Sequence, residues 1–164
     1  MLAGEIIFLC LAFWGVCWLG TGTDAKNSKG LSAYPDEIQK TVKKDPILGL
    51  KVKTTSPVMA FCANVLVFLV VLFPFGFFLK EQGFYRNFRN VLILGQVLNL
   101  FDFLVIDLLW WRHSKRVRFT GTKNKPEKYR DPKNHAISFC KGILAFLLVA
   151  GIDGYILSLI SDLH

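Results

Sequence analysis

This sequence is short of the motifs on which most enzyme classes depend. It has no glycine-rich phosphate-binding loop, no H-E-x-x-H zinc motif and no G-x-S-x-G nucleophile turn. Its four cysteines, Cys10, Cys17, Cys62 and Cys140, include no C-x-x-C pair and have no histidine at ligand spacing. Each is therefore expected to be a small buried hydrophobe, with no metal and no cofactor. Lys and Arg are absent from the first twenty and the last twenty positions. Charge is also thin inside four long apolar stretches, which excludes an ordinary soluble domain, where charged residues are spread along the chain.

What remains is hydrophobic. Of the 164 residues, 52% are hydrophobic and 15 are Phe, gathered into blocks at about 2–19, 58–79, 91–111 and 136–160. Each is near the ~20 residues that cross ~30 Å of hydrocarbon as a helix. The pattern predicts an all-α fold, with residues 1–164 forming one integral membrane domain, a four-span transmembrane helical bundle. The first block has no basic residue ahead of it and is followed by "WLGTGTD" rather than a small-residue cleavage site. It is read as a retained span and not as a signal peptide. In the second, "LFPFGFF" sets Pro74 and Gly76 in the outer half, where proline kinks a helix.

Four spans put loops 20–57 and 112–135 on one side. The first loop carries seven Lys and the second nine basic residues, against Lys80, Arg86 and Arg89 in the turn between spans two and three. Because basic loops stay inside, both long loops are expected in the cytoplasm and both termini outside a cell (cytoplasmic) membrane. Trp18, Trp110 and Trp111 then fall at the cytoplasmic interface. Topology alone accounts for the net charge of +8, so no nucleic acid is implied. Arg112, Lys115, Arg116 and Arg118 of "RHSKRVRF" are the candidate contacts to anionic headgroups, at about 1 kcal/mol each near such a surface.

"SAYPDEIQKTVKKDP" predicts one short amphipathic cytoplasmic surface helix. Pro35 suits its first position, Asp36 and Glu37 its positive end, and Lys40, Lys43 and Lys44 its negative end. Ile38 and Val42 share a face that turns to the membrane surface, to the second loop or, less expectedly, to a separate protein. His113 and His135 flank that second loop. With Asp107 they are the candidate catalytic acid–base groups, set against the commoner fate of such histidines, which is solvation.

The third span is polar on one side. At 100° per residue, Gln96, Asn99, Asp102 and Asp107 fall within an arc of roughly 140° that must face other helices. Counting depth along the spans pairs Asp107 with Lys141, with Asn64 beside them, unless Lys141 snorkels to the interface, and pairs Asp153 with Gln96. Gly151 and Gly154 would admit a close helix there. Asp102 finds no basic residue at its depth and is the candidate for a proton, ion or partner-subunit contact.

"GTGTD", "YPDEIQKTVKKDP", "FDFLVIDLLWWRHSKRVRFTGT" and "YRDPKNH" together resemble a family of small bacterial multi-pass membrane proteins. The resemblance covers most of the chain and implies a bacterial cytoplasmic membrane, but brings no activity and no site residue. "YRDPKNH" is also similar to the charged, proline-containing loops of membrane methyltransferases acting on lipid or prenyl substrates, without matching their motif. Three functions stay open: an accessory or subunit-type membrane protein, a membrane enzyme acting on lipid or isoprenoid substrates, and a proton- or ion-coupled transporter working as an oligomer. The expected partners are a bilayer with anionic headgroups and either another membrane protein or further copies of the chain.

Overall fold

A helix that is apolar on every side has no face for water, and it is stable only inside a large core or in lipid. The computed structural model describes residues 2–49, 52 and 56–162, and it contains two helices of this kind. Helix α1 (Leu2–Leu19) buries only Leu9 and Cys10, and α4 (Pro57–Phe78) only Leu72 and Gly76. Between them lie α2 (Asp24–Asn27), a 3-10 stretch (Ser28–Ala33) and α3 (Asp36–Lys44). After α4 come α5 (Phe84–Phe101), continued by a π-helix (Asp102–Trp111), three single 3-10 turns, and α6 (Lys133–Asp162). No strand occurs among the described residues. The fold is therefore all-helical, and four helical stretches are long and apolar enough to cross a membrane.

Two of these start earlier than hydropathy suggests, because polar side chains open them. Asn87 Oδ1 accepts from the Glu81 N–H at 2.9 Å and its Nδ2 donates to Glu81 O at 2.7 Å, while Asn90 Nδ2 donates to Leu79 O at 3.1 Å. This brace closes the turn at Gly83, whose φ of +86° suits glycine, and starts α5 at Phe84. Asp131 Oδ1 likewise accepts from the Lys133 N–H at 3.0 Å and starts α6 there.

The chain divides into two compact units. The first comprises Met1–Cys10, Thr55–Leu100 and Cys140–His164. Its core is made by Val91, Leu94 and Leu98 of α5 with Leu72, Phe146, Val149 and Leu157. Small residues set the helix approach. A Cβ at Gly154 would lie 2.8 Å from backbone atoms of Phe88, whereas one at Gly151 would meet nothing within 4 Å. The two glycines flanking Asp153 are thus not equivalent. Gly154→Ala should destabilise the fold by about 1–3 kcal/mol through overpacking. Gly151→Ala should be neutral or stabilising, and thermal unfolding of the two variants in detergent micelles separates them.

The second unit comprises Leu11–Thr54 and Phe101–Phe139. Here the two long loops fold on each other around Leu31, Tyr34, Ile38, Val42, Trp111, Val117, Phe119 and Tyr129. The α3 stripe therefore turns to the second loop: Ile38 and Val42 are buried against it. Pro35 caps the helix rather than occupying its first turn. Polar bonds tie the two segments together. The Tyr34 hydroxyl donates to Val117 O at 2.8 Å, Asn27 Nδ2 to Arg116 O at 3.2 Å, and Asn134 Nδ2 to Tyr34 O at 2.6 Å. Burial pushes the Tyr34 hydroxyl well above its ordinary pKa. The Asn134 amide and the Lys133 ammonium hold the Asp36 carboxyl below the usual range. Trp111, expected at an interface, is inside this core because its ring meets Tyr34 edge-on at 4.6 Å.

Candidate functional site

Past Phe101 the helix widens to i→i+5 hydrogen bonding over ten residues, a rare arrangement. The change matters for two side chains. In an α-helix Asp102 and Asp107 would diverge by about 140° around the axis. The π register brings positions five apart back toward one side.

Asp107 is held by a histidine. His135, in the first turn of α6, presents Nδ1 at 2.9 Å from Asp107 Oδ1, with side-chain exposures of 3% and 14%. Its ring stands edge-on to Trp111, centroids 4.7 Å apart. Nδ1 is turned to the carboxylate, which leaves Nε2 as the ring nitrogen on the far side. That atom is buried and has no hydrogen-bond partner. The arrangement is a buried carboxylate–imidazole pair, and it can serve acid–base chemistry only where a substrate group reaches Nε2.

The pairing differs from that expected by counting depth. Asp107 takes His135, and Lys141 is exposed. Depth counting treated "DPKNH" as loop, but the Asp131 cap draws His135 into α6 and swings it inward. His135 is thus buried rather than solvated, whereas His113 is exposed and its Nδ1 lies 2.7 Å from Leu109 O one turn back. The two histidines do not form a pair. Nor do Gln96 and Asp153: Gln96 Nε2 donates to Ile143 O at 3.1 Å, and buried Asp153 keeps Oδ2 without a partner. Asn99 is buried and lies against Gly142, where a Cβ would overlap its amide. Asn64 is exposed.

The basic quartet is only partly available to lipid. Lys115 is exposed. Arg116 stacks over the Trp18 ring at 3.8 Å and its Nε donates to Trp18 O at 3.1 Å. Lys26 Nζ reaches Leu19 O at 2.9 Å, so two cations satisfy carbonyls at the negative end of α1. Gly22, at φ +110°, makes room, since a Cβ there would meet the Arg116 guanidinium at 2.7 Å. Arg112 and Arg118 are half-buried, each with Nε unbonded. Of the cysteines, Cys10 is buried and Cys17 partly so, while Cys62 and Cys140 face outward. Among the described residues no three His, Cys, Asp or Glu side chains are grouped to hold a metal ion.

Comparison adds nothing to this geometry: no family model matches the chain, and neither a curated protein nor a solved structure is detectably similar to it.

Proposed function

We propose that the chain is a multi-pass integral protein of the cytoplasmic membrane, a four-span bundle with both termini outside and its two long loops joined as a basic cytoplasmic cap. On this reading it is an accessory or subunit-type protein that works through helix contacts and through that cap. The observation that carries the reading is the bareness of α1 and α4, each of which leaves all but two of its described side chains at least partly uncovered. Lipid alone is an adequate solvent for most of them, but not for every residue they present. Sixteen of the 20 Lys and Arg residues lie in loops 20–57 and 112–135, which supports the orientation. Native mass spectrometry of the protein, gently extracted from the membranes of its own host, tests the role. A stoichiometric second polypeptide is the expected result. A lone chain, or copies of it carrying only lipid, would remove the accessory reading.

The Asp107–His135 pair favours a second reading, a membrane enzyme acting on lipid or isoprenoid substrates. Lipids that stay bound in that spectrum are its candidate substrates. Their conversion should be lost with His135→Gln and kept with His113→Gln, because only His135 has a carboxylate partner.

A further inference from the structure

The exposed flank of α4 carries one residue that lipid does not suit. Asn64 lies seven positions after Pro57, so about 10 Å along the helix. Its amide is exposed and has no hydrogen-bond partner among the described residues. An amide in hydrocarbon keeps two N–H groups and a carbonyl unsatisfied unless another helix supplies partners. The inner face of α4 is already used, with Phe61, Phe68, Leu69, Leu72, Phe75 and Gly76 among its half-buried or buried positions. Asn64 sits at the edge of that face and is exposed. On a helix of 3.6 residues per turn it aligns with Ala60, Val67 and Val71 in a seam spaced four, three and four, the pattern of paired helices. All four are exposed, Val67 at 56% and Val71 at 38%.

We infer that this seam is a dimer contact occupied by α4 of a second copy of the chain, with Asn64 bonded to Asn64. The argument for a second copy is one of symmetry and hydrogen bonding. A closed dimer of copies inserted in one orientation has its two-fold axis along the membrane normal, which sets identical residues of the two α4 helices side by side at one depth. An amide is both donor and acceptor, so it complements itself there with two reciprocal bonds. A single Asn in such a seam fixes register and favours two strands. Ala60, a small residue one turn before it, lets the backbones approach there. The inference rests on α4 being a membrane span, and it does not depend on the accessory role.

Native Cys62 is a built-in control, since it is exposed on the same helix but about 160° around from Asn64. The test uses full-length protein in native membranes, with Cys10, Cys17, Cys62 and Cys140 replaced by serine and Val67→Cys added. Mild oxidation should give a disulfide-linked species of twice 18.6 kDa. A protein keeping Cys62 alone should give at least ten-fold less. Adding Asn64→Leu should cut the Val67→Cys product at least five-fold, while Asn64→Gln retains most of it. Equal cross-linking from Val67→Cys and Cys62, or cross-linking untouched by Asn64→Leu, would overturn the proposal. A cross-link to a different polypeptide would overturn it while sparing the accessory reading. A dimer with no other polypeptide would support it and remove that reading.

Discussion

Replacing His135 by alanine should lower stability by about 3–5 kcal/mol, since the Asp107 carboxylate would stay covered without its partner. For a chain of this size, at roughly 2–4 °C per kcal/mol, the loss is about 6–20 °C in Tm, measured by thermal unfolding in micelles. The position within the pair decides the size of the effect. His135 is 3% exposed and Asp107 14%, so solvent does little to screen either group. Replacing both by leucine should recover most of the loss, because an apolar pair of similar volume needs no compensation. His113→Ala, at an exposed residue outside the pair, should leave Tm within a degree or so. If the double leucine variant is as unstable as His135→Ala, the pair is not what holds this region.

Tyr34→Ala should open the cap while leaving the long helices formed. Tyr34 is 2% exposed and touches three other rings, with centroids at 4.6 Å to Trp111, 5.1 Å to Phe119 and 6.1 Å to Tyr129. Removing a large aromatic from such a core costs about 3–5 kcal/mol, comparable with the whole stability of a small unit. Limited trypsin digestion should then cut at Lys40, Lys43 and Lys44 in minutes, and helical circular dichroism should change little. Tyr34→Phe loses only the bond to Val117 O, about 0.5–1.5 kcal/mol, and should keep the cap closed to trypsin. Rapid cleavage of both variants alike would mean that the hydroxyl, and not the ring packing, closes the cap.

The long helices were legible in the sequence because hydropathy integrates over some twenty positions, and single polar residues barely dent it. The face shared by Ile38 and Val42 was legible too, down to the second loop as one of its three destinations. Rotation about the helix axis was not legible. Depth places Asn64 beside Asp107 and leaves Lys141 either paired or snorkelling, yet both are exposed, because composition records how far along a span a residue lies and not toward what it turns. The π stretch escaped for a related reason: a wheel drawn at 100° assumes α geometry, and nothing in "DFLVIDLLWW" announces otherwise. His135 was misjudged through its neighbours. Asp131, Pro132, Lys133 and Asn134 look like loop, but Asp131 caps a helix, and the first turn of that helix carries the histidine inward. Trp111 and Tyr34, which line and brace the site, could have been suspected only from aromatic residues recurring in both loops.

The cap also sets an order of events during synthesis. Tyr34 and Val117, joined by a hydrogen bond, are 83 positions apart in the chain. At ~5–20 residues per second, the first segment waits about 4–17 s for its counterpart to be made. During that interval Ile38, Val42 and the Tyr34 ring have no core to enter, and two further apolar helices are still being threaded. A nascent chain stalled before Val117 would therefore display a sticky, lysine-rich segment. It would be the form most open to chaperones, proteases and premature association with the membrane surface.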